Sequence, residues 1–537
     1  MTGSRNRYWL AGFVLLLALV CLVPCLLEGL SPYDEGFMVE GAVRTAHGAV
    51  PYRDFFAIYA PGGFYTLAGI FRLFGSSILV ERVWRALVRL AVCLVVLAIG
   101  RRLFSRTAGY LCCLLTALVL QTCGTFGFVP EALFWSLLGV LLLLRSFSEN
   151  GLGWVFLGGV ATGVAILYRH DMGVYALLSA TVAVLLSSAL DRPSTGQGRT
   201  ELIQRLKALL IYGSGACVVV LPALLCLVRA VPLGDLRADI LEFPRIEVQF
   251  RSLPLPPILP KLFFFTRNHG AFYDWFLFYA PLVVYLISWT GLSRLLWNSG
   301  AAVKSGGERF GWVLLTLLGS AFVMPAVIRP GRDHFLAMTV PATMLVPLLL
   351  DKWQTENWPA WSTRLVRVFL LLLTVAYTGA QIGLSRYLVA PLARHATEKA
   401  SFLPRARGFY LDHDLEDAVR YVQQNVPERG AIFVGNAQHH QVFNNDAIFY
   451  FLAERSPGTR FHDFIPGVIT TAAVQREVAR DLERNQVNYI VLCSNPGLAK
   501  VESETPPDSG VALLDDFLRR EYKAVRTFGY YSVWKKD

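Results

Sequence analysis

Eleven apolar runs, each close to the length of one bilayer crossing, limit what this chain can fold into more than any other feature. They lie at about 8–29, 83–100, 107–126, 131–147, 152–168, 172–190, 208–231, 271–292, 311–328, 335–350 and 365–386. A hydrocarbon core takes about 20 apolar residues per helix. In lipid the backbone must satisfy its own hydrogen bonds, which makes each run a helix. The balance of the 537 residues agrees, with 54% hydrophobic and 17% charged, where a soluble chain carries about a quarter of its residues as charges. The first run is not read as a cleaved leader, because Pro24 and Glu28 stand where the small residues of a cleavage site belong. The expected fold class is mainly α: a polytopic membrane protein of about 11 transmembrane helices with a small C-terminal α/β domain.

Charge sets the expected orientation. An odd number of spans puts the two ends on opposite sides. With the N-terminus inside, the cytoplasmic segments hold 16 Lys and Arg against 6 acidic residues. The outer share of residues 1–400 holds 18 against 15, so the basic excess lies on the cytoplasmic side. Residues 401–537 carry a net charge of −2 and residues 1–400 a net of +13. Basic charge therefore accompanies the apolar part, which favours membrane phosphate over nucleic acid as a partner. Most cysteines lie in or beside apolar runs, and no disulfide framework is expected.

Residues 1–390 are expected to form the membrane domain, with outer loops at about 30–82 and 232–270. Within the first loop, 55–74 is read as one or two helices lying on the membrane interface, with Tyr59 and Tyr65 at headgroup depth. Residues 391–537 read as a soluble extracytoplasmic α/β domain. Helices are predicted over Asp414–Val426, Thr471–Asn485 and about 511–522, and strands over Ala431–Val434, Tyr489–Cys493 and about 529–534. Alternation of the two suggests a small, partly parallel sheet. No glycine fingerprint for nucleotides and no internal repeat is present.

Several polar groups sit where this architecture gives them no obvious burial. Ser31-Pro32-Tyr33-Asp34-Glu35-Gly36 follows the first run directly. Ser31 reads as an N-cap, Pro32 as the first helical residue and Asp34 as the acid closing a capping box. The same Asp34 is a candidate catalytic carboxylate at the top of a membrane helix. Arg82, Arg85 and Arg89 share one helical face, either as a stripe reaching headgroups or as an anion site. Arg169-His170-Asp171 and Arg332-Asp333-His334 stand at outer helix ends, either as solvated charges or as further anion contacts, with Arg329 a headgroup contact as readily as a site residue. The second loop carries Arg237, Arg245, Arg251, Lys261 and Arg267 among six prolines, and reads as a mobile loop or as a lid over a phosphate. His439, His440, His462 and Asp463 match no standard metal spacing.

These motifs, taken in order, resemble the GT-C glycosyltransferases, in particular the protein O-mannosyltransferases and the lipid A aminoarabinose transferases. The resemblance runs through Asp34-Glu35, Tyr59-Ala60-Pro61-Gly62-Gly63-Phe64-Tyr65, Phe74-Gly75, Arg82, Pro130-Glu131 and Arg329-Pro330-Gly331-Arg332-Asp333-His334. It implies transfer of a sugar from a polyprenyl-phosphate carrier to an acceptor on the outer face of a bacterial inner (plasma) membrane, the acceptor being an envelope glycan, lipid or protein. It assigns the catalytic acids to Asp34, with Glu35 its neighbour, and to Glu131, where many relatives carry aspartate. It assigns lipid phosphate to Arg82, beside which Arg85, Arg169, His170, Arg332 and His334 are read from their positions as further lipid phosphate or sugar contacts. Relatives with a basic residue before the proline have Ala60 here, so that phosphate contact must come from elsewhere. The chemistry suits this inventory: an attacking hydroxyl needs a base, and a phosphate leaving group needs cations rather than an acid. A single displacement inverts the anomeric centre. No metal site and no cofactor is assigned, although Asp34, Glu35 and Glu131 are the carboxylates that would hold a divalent cation. A secondary transporter would show inverted repeats and mid-membrane polar breaks. A non-catalytic envelope scaffold would share most of these features.

Overall fold

The computed structural model describes residues 2–26, 29–122, 127–149, 151–190, 198–258, 269–297, 306–352, 360–397, 400–442, 444–495 and 507–537. The chain opens with α1 (Thr2–Leu22), then places two helices in the first loop, α2 (Asp34–Ala46) and α3 (Gly62–Phe74). The bundle continues through α4 (Ile78–Leu103), α5 (Arg106–Thr122), α6 (Val129–Glu149), α7 (Leu152–Tyr168), α8 (His170–Leu190) and α9 (Gly198–Ala230). After the short α10 (Leu233–Leu236) and α11 (Phe243–Arg251) come α12 (His269–Trp297), α13 (Gly306–Ala321), α14 (Val323–Ile328), α15 (Arg332–Lys352) and α16 (Ala360–Thr397). Among the described residues, seven helical stretches are long and apolar enough to cross a membrane: Trp9–Leu26, Ile78–Leu103, Val129–Phe147, Leu202–Ala230, Asp274–Arg294, Gly306–Ile328 and Thr363–Gly383. Shorter apolar helices at Arg106–Gln121, Leu152–Tyr168, His170–Leu186 and His334–Leu350 fill the other expected positions.

Local sequence explains how these helices start and how they meet. The Ser77 side chain accepts from the Val80 N–H to cap α4, and Arg101 and Arg102 sit in its last turn, where the helix dipole favours cations. In apolar surroundings helices associate by close packing rather than by a hydrophobic drive, so small residues mark the contacts. Gly159 and Gly163 on α7 face α9 so closely that a Cβ on Gly159 would lie 2.0 Å from the Tyr212 carbonyl oxygen. The Thr162 and Tyr212 hydroxyls close that interface at 2.7 Å.

The second loop carries helical structure that the sequence reading did not assign to it. Residues 233–251 are helical throughout, with a π-helical turn over Arg237–Glu242 joining α10 to α11. Pro232 precedes the first helix and Pro244 falls in the first turn of α11, positions where a missing N–H costs nothing. Leu236, Asp239 and Phe243 form one buried face. Lys261 and Arg267 lie outside the described residues.

The C-terminal part holds α17 (His413–Asn425), α18 (Ile448–Ala453), α19 (Ala472–Arg484) and α20 (Leu513–Glu521) around a five-stranded sheet. Its strands are β1 (Ala431–Asn436), β2 (Ser456–Pro457), β3 (Tyr489–Cys493), β4 (Tyr522–Phe528) and β5 (Tyr531–Lys536), in the order β2-β1-β3-β5-β4. β1 runs parallel to β2 and β3, and β5 lies antiparallel to β3 and β4. The predicted helices and strands are present. β2, β4 and α18 carry no clear period-2 or helical signal: five of the seven β4 residues are exposed, and every residue of α18 is buried.

The sheet domain is packed onto the first loop through α18, which meets α2 backbone to backbone. The Ile448 N–H donates to the Pro32 carbonyl at 3.0 Å, and a Cβ on Gly36 would lie 2.2 Å from Ile448 N. Backbone cannot yield as a flexible side chain does, so Gly36→Ala is expected to lower stability by about 1–3 kcal/mol. Gly69→Ala on α3, where a Cβ meets nothing within 4 Å, is expected to be neutral or slightly stabilising. Thermal unfolding of both variants in detergent checks this, and equal midpoints would refute the close-approach argument.

Candidate active site

Glu35 is the most heavily used side chain at the loop end of the bundle. It is fully buried, and Arg82 grips it with two hydrogen bonds, Nε to Oε1 at 2.7 Å and Nη2 to Oε2 at 2.9 Å. Arg85 adds a third cationic contact at 3.5 Å and is itself paired with Glu81 at 2.6 Å. Arg82 also donates to the carbonyls of Leu26 and Gly29 at 3.3 and 3.2 Å, tying the exit of α1 to α4. Glu131, at the start of α6, faces Arg85 and Arg89. Three buried carboxylates thus stand against three buried guanidiniums. Burial opposes the charged form of Glu35, but Arg82 and Arg85 outweigh it and hold the carboxyl below its ordinary range.

The capping box differs from the sequence expectation in a way that matters for chemistry. The Ser31 hydroxyl accepts from the Asp34 N–H at 3.2 Å, but it is Glu35 whose carboxylate reaches back to the Ser31 N–H, at 3.2 Å. Glu35 can do this because Arg82 already draws it beneath the helix start. Asp34, one residue earlier on the helix, is only partly buried.

Its electrostatic neighbours are Tyr33, Tyr59 and Arg329. Arg251, at the end of α11, donates to the Tyr33 hydroxyl at 3.3 Å and lies over the Tyr33 ring at 5.6 Å. Arg169 lies over the Tyr59 ring at 5.2 Å and makes a two-point pair with Asp171, at 3.1 and 2.7 Å. His334 faces Arg329, Arg169 and Arg251 together. Burial drives the Arg329 guanidinium down from its ordinary value, and repulsion from Arg251 drives it further. Glu247 on α11 faces Arg251, Arg169 and His170. Burial also drives the Tyr33 and Tyr59 phenols upward, so both remain hydrogen-bond donors.

The structure therefore splits the sequence candidates in two. Asp34, Arg169, His170 and His334 converge, joined by Arg251 and Arg329. Glu35, Glu131, Arg82 and Arg85 form the separate buried network, where Arg82 meets a carboxylate instead of facing an open anion site. Arg332 pairs with Asp274 on α12 at 2.5 Å. Asp34, Glu35 and Glu131 do not assemble into one carboxylate cluster, and among the described residues no three His, Cys, Asp or Glu come together as metal ligands. Sequence reasoning left Tyr33, Tyr59 and Glu247 out of the site, read Arg251 only as part of a loop or lid and Arg329 as a headgroup contact as readily as a site residue, and weighed Asp463 only as a metal ligand. Tyr33 and Tyr59 could have been suspected from their adjacency to Asp34 and to the Ala60-Pro61-Gly62 turn, whereas Glu247 and Asp463 carry no local signal.

The comparisons agree with this architecture. Residues 59–197 match the family model described as dolichyl-phosphate-mannose-protein mannosyltransferase. The structure of ArnT from Cupriavidus metallidurans bound to undecaprenyl phosphate is similar to this chain at a TM-score of 0.56 and 16% identity, covering 98% of this chain and 97% of that one. The oligosaccharyltransferase AglB from Archaeoglobus fulgidus, in complex with an inhibitory peptide and a dolichol-phosphate, is similar at 0.52 and 14% identity, covering 91% and 70%. No curated protein matches the sequence. The fold is the ArnT-like GT-C fold of membrane glycosyltransferases.

A buried pair is expected to reveal itself when it is broken from one side. Arg82→Met and Glu35→Leu should each cost about 3–5 kcal/mol, and the double variant should regain most of that loss. Because the Glu35 carboxyl is held low, its contribution is present above the ordinary carboxylate range and is lost as pH falls through and below it. Unfolding midpoints in detergent at neutral and acidic pH measure both, and strictly additive losses would rule the pairing out as the cause.

Proposed function

We propose that this GT-C-fold membrane protein is a glycosyltransferase that moves a sugar from a polyprenyl-phosphate donor to an acceptor hydroxyl. One observation carries the reading: Arg251 and Arg329 are held within mutual repulsion beside Asp34. Two neighbouring guanidiniums, that of Arg251 buried and that of Arg329 partly so, lose their repulsion when an anion enters between them. A phosphate diester fits the need, and Arg presents a planar fork to it. That ArnT and AglB were solved with polyprenyl and dolichol phosphates supports a lipid-linked donor for this chain as well.

In this reading Asp34 accepts the proton of the acceptor hydroxyl as it attacks the anomeric carbon. The sugar–phosphate bond breaks as the new glycosidic bond forms, and the lipid phosphate leaves with its charge held by Arg251 and Arg329. His334 and Arg169 line the same side, and the Tyr33 and Tyr59 hydroxyls supply donors. One displacement inverts the anomeric centre. Glu35, Arg82, Arg85 and Glu131 act on Asp34 from below, by fixing the start of α2. The loop end of the bundle and the sheet domain then face the outer side of the membrane, where the acceptor is an envelope glycan, lipid or protein.

Asp34→Asn is expected to lower transfer by about 10²- to 10⁴-fold while donor binding persists. Arg251→Ala and Arg329→Ala are expected to weaken donor binding instead. Purified protein with a panel of labelled polyprenyl-phosphate sugars and crude envelope acceptor, followed for transferred sugar and released lipid phosphate, tests both. Full transfer by Asp34→Asn would remove the base from this scheme. No donor bound or consumed by the wild type would remove the scheme itself.

A further inference from the structure

The segment that follows β2, residues 459–464, is inserted between the two loops of the membrane part. The Thr459 carbonyl accepts from Arg44 on α2 at 3.3 Å, and the Arg460 carbonyl accepts from the Phe56 N–H at 3.1 Å. Arg460 reaches Asp235 on α10 at 3.2 Å and the Tyr52 carbonyl at 3.2 Å. The His462 ring stacks on Phe37 of α2 at 5.6 Å and lies 3.3 Å from Arg44. From the sheet side, Asn445 holds the segment by donating to the His462 carbonyl at 2.8 Å and accepting from the Phe464 N–H at 3.2 Å. The contacts come from α2, the turn between α2 and α3, α10 and the sheet side, so the backbone around residue 463 is held from several directions.

Asp463 is 1% exposed, and its two carboxylate oxygens make no hydrogen bond of ordinary geometry. A buried carboxylate with no ordinary bond costs several kcal/mol unless charge compensates it. The groups acting on it are Arg251 of α11, the Tyr33 hydroxyl of the first loop and the backbone N–H of Phe464. Arg251 in turn faces Tyr59 and Glu247, and it repels Arg329. The other titratable group of the segment, His462, points instead to Arg44 and Phe37. Since the Tyr33 hydroxyl accepts from Arg251, its own proton is left to aim at Asp463.

We infer that Asp463 is a positioning residue through which the C-terminal domain completes the donor site, by setting the orientation and the charge of the Arg251–Tyr33 pair beside Asp34. The inference rests on the glycosyltransferase reading above and extends it to a residue of the sheet domain. Burial, partly offset by Arg251, pushes the Asp463 carboxyl up to about 7. Below that pH the carboxyl is neutral and Arg251 keeps its full charge for a phosphate. Above it the carboxylate competes with the phosphate for Arg251.

The test uses the full chain in detergent and undecaprenyl phosphate as the probe, with affinity measured from pH 6 to 8 for wild type and Asp463→Asn. The probe's own second ionisation, near pH 6, is common to both proteins and cancels in the comparison. Wild type is expected to lose about five- to tenfold more affinity across this range than Asp463→Asn, which mimics the neutral acid; one unit of coupling is worth tenfold. Asp463→Glu should restore a pH slope, and a residue that merely packs the interface would not move it. Should Asp463→Asn fail to fold, Asp463→Ser removes the same carboxylate and leaves Arg251 in place, and the wild-type slope must vanish there. Identical slopes in wild type and variant overturn the assignment of Asp463 while leaving the donor reading standing. A wild type that binds no probe at any pH overturns the donor reading and this assignment with it.

Discussion

A carboxylate and a guanidinium sealed from water hold this molecule's working end together. Glu35 and Arg82 are 0% and 2% exposed, and neither would be tolerated there alone. Their two-point pair joins the first helix of the first loop to α4. The further bonds of Arg82 to the Leu26 and Gly29 carbonyls add the exit of α1. Three elements are thereby fixed at one point, and Asp34 stands one residue from it. With Arg85, Glu81, Arg89 and Glu131 the network extends into α6. Such a network adds little net stability against an apolar core of the same shape, but it is strict about geometry, and a candidate base needs geometry.

Around this fixed point the two loops and the sheet domain close on one another by several kinds of contact. Phe37, Phe55, Phe64 and Phe128 pack edge to face, with Phe37–Phe64 centroids at 5.5 Å and Phe64–Phe128 at 5.4 Å. The Gly36–Ile448 approach brings α18 against α2. The inserted segment 459–464 then meets both loops. Side chains from five separate parts of the sequence, Tyr33-Asp34, Tyr59, Arg169, Arg251 and Arg329-His334, arrive in one place as a result.

Much of the framework was legible from residues alone, because its signals are local. Runs of apolar residues announced the membrane helices, a helical period announced Asp414–Val426 and Thr471–Asn485 in the sheet domain, and the strand Tyr489–Cys493 stands out by its β-branched and aromatic content. Asp34 was legible for the same reason, as a carboxylate immediately after a membrane helix. The helical part of the second loop was obscured by its prolines, which in sequence look like breakers, whereas Pro232 and Pro244 stand at helix starts. The capping box was read with the wrong acid. Both Asp34 and Glu35 lie within reach of Ser31, and only Arg82, 47 residues away along the chain, selects Glu35.

The sequence by itself determined a helical membrane bundle with a small mixed sheet, since hydropathy, caps and turn residues act over a few positions and need no knowledge of neighbours. Only the tertiary structure decided which charges neutralise one another and which are left to act on a ligand. Arg82 and Arg251 are chemically the same residue. The first faces Glu35 in a sealed pair, and the second faces Arg329, Tyr33 and Asp463 beside Asp34. Charge interactions act through space and depend on burial, so the partner of each arginine becomes known only when the helices that carry them have been brought together.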